Sequence, residues 1–202
     1  MTEPVDVSRR RRWGDIARVL LAGLVSSAVA NADPADVVPG SERVAHLDAM
    51  KARVDEPSSV AAMTIAEVFA LPRPPRAYTR AQLVEISDLE ARGVSVTGYI
   101  ARVDPKEDGD FHVQITVAAP LGGCLRRNAR DQLITELTPA FQARRPAYTL
   151  RRLQALCGTP TQVRISGWLL YDAPHDRDAR RSTGWEVHPI TRIEICCWQE
   201  LQ

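Results

Sequence analysis

Val94-Ser-Val-Thr-Gly98-Tyr-Ile100 and, further along, Val163-Arg-Ile-Ser-Gly167-Trp-Leu169 follow one pattern: apolar, polar, apolar, hydroxyl, Gly, aromatic, aliphatic. Strict alternation of this kind marks a strand with one buried face. A glycine inside a strand weakens it unless it marks a bulge or a sharp bend. Two strands with Gly98 and Gly167 at the same place suit a short barrel, whose sheet must coil tightly on itself.

Three further strands are legible around these two. Phe111, Val113, Ile115 and Val117 alternate with Asp110, His112, Gln114 and Thr116; Leu133 to Leu137 is a shorter run. Trp185 to Cys197 alternates Trp185, Val187, Ile193 and Ile195 against Glu186, His188, Arg192 and Glu194. Pro189 in its middle cannot donate to a ladder, so it demands an edge or a bulge. Between the third and fourth strands, Thr149 to Leu156 reads as a helix with Leu150, Leu153 and Leu156 on one face and Gly158-Thr159-Pro160 ending it. A mainly β domain over 93–202 is expected: a small five-stranded OB-like barrel with one helix between strands three and four. An immunoglobulin-like sandwich wants about seven strands.

Residues 33–92 read as an N-terminal leader with short helices. Val44, Leu47 and Met50 recur every third residue in a helix from about Ser41 to Val54, which Pro57-Ser58-Ser59 breaks. This part is expected to be loosely attached, with His46 a surface residue. Thr64 and Glu67 form a capping box for a second short helix, ended by Pro72, Pro74 and Pro75. Thr79 opens a third.

Residues 1–32 read as a signal peptide. Arg9 to Arg12 are followed by the twelve-residue run Val19 to Ala30, apolar apart from Ser26 and Ser27, and then by the small-residue patterns Ala28-Val29-Ala30 and Ala30-Asn31-Ala32. Positive, apolar, small is the order that translocation requires, and the apolar run is too short to span a bilayer. The expected location is periplasmic or extracellular, with no membrane span after cleavage and a monomeric mature chain.

The 202 residues carry 26 basic and 25 acidic side chains. Cleavage after Ala32 removes five arginines and three acids and leaves 21 basic against 22 acidic. A chain without positive excess gives no strong nucleic-acid signal, because sequence-independent phosphate binding rests on Lys and Arg displacing counterions. Arg126, Arg127, Arg130, Arg144, Arg145, Arg151 and Arg152, with Phe141 and Tyr148 nearby, read either as a basic aromatic surface for a polyanion or as a solvated insertion. Export would expose Cys124, Cys157, Cys196 and Cys197 to oxidation. Cys124 follows the second strand and Cys157 ends the helix, so these two are expected to form a disulfide. Cys196 and Cys197, adjacent in a strand, point to opposite faces and are not expected to bond each other.

The segments Gly109-Asp-Phe-His-Val-Gln-Ile115, Leu133-Ile-Thr-Glu-Leu-Thr-Pro139, Val163 to His175 and Trp185-Glu-Val-His-Pro-Ile-Thr191 resemble blocks in a group of uncharacterised exported bacterial proteins. The resemblance covers about Val94 to Ile195. It implies a shared OB-like domain and transfers no catalytic role.

Seven polar residues form the candidate site: Asp110, His112, Glu136, Asp172, His175, Glu186 and His188. Strand parity puts Asp110 with His112 on one face, and Glu186 with His188 on one face, opposite the apolar residues. Imidazoles and carboxylates on neighbouring strands can tie the strands together, bind a ligand, or hold a divalent metal, with His112, His188 and Glu186 as candidate ligands. No nucleophile elbow, phosphate loop or dinucleotide fingerprint is present. The expected function is an exported OB-like binding module without catalysis, with an unidentified ligand or protein partner and no firm cofactor. A metal-dependent, nuclease-like hydrolase is the alternative.

Overall fold

The strand runs legible in the sequence form strands, and they close into a ring. In chain order the elements are α1 (Gly40–Lys51), β1 (Ala61–Met63), α2 (Ile65–Phe69), α3 (Arg80–Glu90), β2 (Gly93–Pro105), β3 (Phe111–Thr116), β4 (Leu133–Leu137), α4 (Pro139–Arg144), α5 (Leu150–Leu156), β5 (Gln162–Tyr171), β6 (Trp185–Ile195) and β7 (Gln199–Glu200). This computed structural model describes residues 33–120, 122–195 and 199–201. The segment read as a signal peptide, and Cys196 and Cys197, lie outside the described residues.

β2, β3, β4, β6 and β5 pair in that order, and β5 returns to β2 to close a five-stranded mixed barrel. All contacts in the ring are antiparallel except β4 with β6, where Thr135 faces Val187 in a parallel pairing. Val96, Ile100, Val113, Ile115, Leu133, Leu137, Ile165, Leu169 and Val187 fill a continuous core. Each such side chain, fully buried, contributes about 1.5–3 kcal/mol relative to exposure. Two strands escaped the sequence reading. β1 adds in parallel to β2, and β7 pairs with β6.

The two barrel glycines stand where backbone comes close. A Cβ on Gly98 would lie 2.8 Å from the Thr116 carbonyl oxygen, and one on Gly167 would lie 2.2 Å from that of Pro189. The β5–β6 register shifts on both sides of Gly167. Pro189 therefore lies at a bulge inside a closed ring, one of the two placements its missing N–H allows.

Between β4 and β5 the chain forms two short helices where the sequence suggested one. Phe141 of α4 and Leu153 of α5 are fully buried in the barrel core, and the Tyr148 hydroxyl accepts a 2.9 Å hydrogen bond from the Ile193 amide. A basic aromatic surface is thereby corrected: the two aromatics are core residues and present no stacking face.

The outer face of β3 and β4 is also covered. All five residues of β4 are buried, as is Gln114 of β3, whose side-chain amide donates to Asn128 at 2.9 Å. Residues 122–132 lie over this face, where Asn128 meets Gln114, and the Leu125 amide bonds to the Ala101 carbonyl of β2 at 2.8 Å. It is fastened by Cys124 and Cys157, whose sulfurs lie at bonding distance, 2.08 Å. Val117, expected in strand, lies past the end of β3 and is 71% exposed.

Residues 33–60 do not hang loosely. The Val38 amide donates to the Tyr78 carbonyl at 3.0 Å, Arg53 donates to the Glu90 carbonyl at 2.7 Å, and the Trp168 indole donates to the Asp55 carbonyl at 3.0 Å. The carbonyl of Lys51, the last residue of α1, lies 3.2 Å from His188 Nε2 of β6, so α1 roofs this side of the barrel. His46 is not a plain surface residue: its Nε2 donates to the buried Glu90 carboxylate at 2.6 Å. Thr64 and Thr79 cap α2 and α3 through complete capping boxes with Glu67 and Gln82.

Candidate functional site

The ladder registers bring the polar residues together on the outer face. His112 of β3 is directly opposite Glu136 of β4, so both side chains leave the same side of the sheet. Thr135 faces Val187 across β4 and β6, which sets Glu136 beside His188. The Glu136 carboxylate accepts from His112 Nε2 at 2.7 Å with one oxygen and from His188 Nδ1 at 2.8 Å with the other. His188 Nε2 reaches the Lys51 backbone carbonyl, at the last residue of α1, at 3.2 Å. Glu136 and His188 are both buried. Burial alone would raise the Glu136 pKa, but the two imidazole hydrogen bonds outweigh it and hold the carboxyl well below its ordinary range.

Asp110 enters the same group from the turn before β3. One ligand atom from each of Asp110, Glu136 and His188 lies within 4.8 Å of the others. Asp110 is half-buried, and that burial raises its pKa against the attraction of His188.

A second group adjoins the first. Asp172 follows β5 and Glu186 lies near the start of β6, and both carboxylates are buried. Asp172 Oδ2 accepts from His175 Nδ1 at 2.8 Å and lies 3.8 Å from Lys51 Nζ and 3.7 Å from Arg181 Nη1. Arg181 also contacts Glu186 at 3.2 Å. Burial first, then the charges of Glu136 and Asp172, push the Glu186 pKa well above its usual value, with Arg181 and Lys51 opposing. Oδ1 of Asp172 and Oε1 of Glu186 are buried with no hydrogen-bond partner among the described residues.

The structure thus gathers Asp110, His112, Glu136 and His188 into one centre and sets Asp172, His175 and Glu186 beside it. His175 lies at the rim with its side chain 55% exposed. The candidate ligands His112, His188 and Glu186 take different neighbours. Glu186 pairs with Arg181, and it is Asp110 and Glu136 that stand with His188. Lys51 and Arg181 were missed. Arg181 lies in no periodic run, and Lys51, one of only two lysines in the chain, lies off the apolar positions of the α1 run.

One cleft opens beside α1 and another over β5 and β6. The first, of about 560 Å³, is lined by Arg43, Leu47, Arg76, Tyr78, Tyr171 and Pro174. The other, about 500 Å³, carries Ser95, Arg164, Ser166, Thr191 and Glu194. No helix among the described residues is long and apolar enough to cross a membrane.

No family model matches this sequence, and no curated protein matches it. Among solved structures, asparaginyl-tRNA synthetase from Pyrococcus horikoshii is similar to this chain with a TM-score of 0.36 and 13% identity. That match covers 68% of this chain and 23% of the synthetase chain. The closed five-stranded mixed barrel is OB-like in class.

Proposed function

We propose that this protein is an exported, monomeric OB-like module that binds a small ligand at the imidazole–carboxylate centre on the outer face of β3, β4 and β6, and performs no chemistry on it. The observation that carries this reading is the clamping of Glu136: both its oxygens are taken by His112 and His188, and His188 is in turn held by α1. A general base must be free to approach a substrate proton. Here the groups with acid–base capacity face one another under a helical roof, an arrangement suited to holding a small species. The positive–apolar–small order of residues 1–32 and the bonding distance between Cys124 and Cys157 support an oxidising destination.

A ligand that binds only the folded state raises the melting temperature. Chain purified natively from the exported fraction of its host should melt about 5 °C above the same chain unfolded, desalted and refolded with its disulfide intact, corresponding to roughly 2 kcal/mol of ligand stabilisation. Glu136→Gln should abolish the difference. Equal melting of the two wild-type preparations would overturn the binding reading. Metal-supplemented turnover of phosphodiester or ester substrates that Glu136→Gln removes would overturn the absence of catalysis.

A further inference from the structure

We infer that Asp110, Glu136 and His188 form a site for one divalent first-row metal ion, with zinc the best fit, and that this ion is the ligand of the polar centre. The inference rests on the binding reading above and names its ligand class.

The placement of His188 is the first ground. Its Nε2 lies 3.2 Å from the Lys51 backbone oxygen, which can only accept, and its Nδ1 is turned to a Glu136 carboxylate oxygen at 2.8 Å. The same arrangement is what a metal-bound histidine shows: one nitrogen on the ion, and the other N–H tied to a backbone carbonyl that fixes tautomer and ring orientation.

Charge is the second ground. Four carboxylates, Asp110, Glu136, Asp172 and Glu186, interact electrostatically in one neighbourhood, and the fixed cations facing them are Lys51 and Arg181. These carboxylates outnumber the two cations. Unpaired charge buried out of water is costly, so such a centre gains from a cation more than an exposed acidic patch does.

Geometry is the third. The three ligand atoms already lie within 4.8 Å of one another, and zinc bonds to nitrogen and carboxylate oxygen are about 2.0–2.2 Å. Small side-chain movements bring all three into one coordination sphere. His112 acts as a positioning residue, since its bond to the other Glu136 oxygen fixes the plane of that carboxylate. One imidazole with two carboxylates selects zinc or manganese over calcium, which takes oxygen ligands. Asp110 and His112 reach partial exposure, giving the ion a way in.

The test is titration of the chelator-stripped, disulfide-intact chain with Zn²⁺, followed by calorimetry and elemental analysis. One zinc per chain is expected, bound at least a hundredfold more tightly than Ca²⁺. Asp110→Asn should not lower the melting temperature of the metal-free chain and should weaken zinc at least tenfold. His112→Gln should weaken it about tenfold, the usual size of an outer-shell loss. Cobalt bound in place of zinc should show a d–d absorption that Asp110→Asn removes. No one-to-one uptake, or uptake indifferent to both substitutions, would overturn the site. A natively purified chain that melts above its refolded form yet takes up no zinc sinks the metal and leaves the binding reading standing.

Discussion

The carbonyl oxygen of Pro189 occupies the space beside Gly167 that a side chain would need: a Cβ there would lie 2.2 Å from that oxygen and 2.8 Å from a Val187 methyl. The bulge at Pro189 and the glycine opposite it are one device, which lets β6 carry a proline inside a closed barrel. Gly167→Ala should therefore destabilise the fold by about 2–3 kcal/mol, because backbone has to move to admit the methyl. Gly98→Ala, where the nearest backbone atom is at 2.8 Å, should be milder. Denaturant midpoints decide it, and a Gly167→Ala chain as stable as wild type would show that the ring opens freely there.

The barrel was legible because its signal is local. Alternation in Val94 to Ile100 and Val163 to Leu169 reports strands whose one face is buried, and the repeated glycine reports coiling. The covering of the second face was not legible. Gln114 and Glu136 look like solvent-side residues in a period-2 pattern, yet both are buried: Asn128 of the 122–132 segment meets Gln114, and the end of α1 closes over the His188 beside Glu136. That is long-range packing, and no periodicity announces it. The same cause explains the site. Parity placed His112, Glu186 and His188 on the polar faces, but the parallel contact between β4 and β6 decides that Glu136, and not Glu186, joins both histidines. His46 was misjudged because its partner, Glu90, is 44 residues away on another helix.

Cys124 and Cys157 join the covering segment to the end of α5, across a sequence separation of 33. Closing a loop of that size stabilises a fold by about 3–4 kcal/mol in the chain-entropy account. Replacing both cysteines by serine should lower stability by that order. It should also speed amide exchange at Leu125, whose bond to Ala101 pins the segment to β2. Unchanged exchange at Leu125 would mean that the segment is held by its polar contacts alone.

Glu90 is the anchor of the roof. Its buried carboxylate accepts from His46 at 2.6 Å with one oxygen and from the Tyr171 amide at 3.0 Å with the other, while its carbonyl accepts from Arg53. Glu90→Ala leaves the Tyr171 N–H unsatisfied and releases α1 from α3, at an expected loss of about 2–3 kcal/mol, typical of hydrogen bonds to a charged group. Limited proteolysis gives the sharper reading. Cleavage between residues 40 and 60 should accelerate well beyond the rate explained by global unfolding. If cutting there follows global stability alone, α1 is held by something other than this carboxylate.

Arg164 and Glu194 face each other across β5 and β6 and form a paired contact, with N–O distances of 2.8 and 2.9 Å. The Arg164 hydrogen bonds lower the Glu194 pKa below its ordinary 4.5, against a smaller effect of burial. A carboxyl whose folded pKa is depressed contributes stability that is fully present above its unfolded pKa and is lost as pH falls through the folded one. Wild type should therefore exceed Glu194→Gln in stability at neutral pH, and the gap should shrink below about pH 4.5 and close at lower pH. Because the Arg164 side chain is 34% exposed, solvent screening keeps the gap to about 0.5–1 kcal/mol, and 1 M salt should narrow it further. Denaturant unfolding of both chains from pH 7 to pH 3 provides the check. A gap that persists unchanged at pH 3 would show that Glu194 acts through packing and not through its charge.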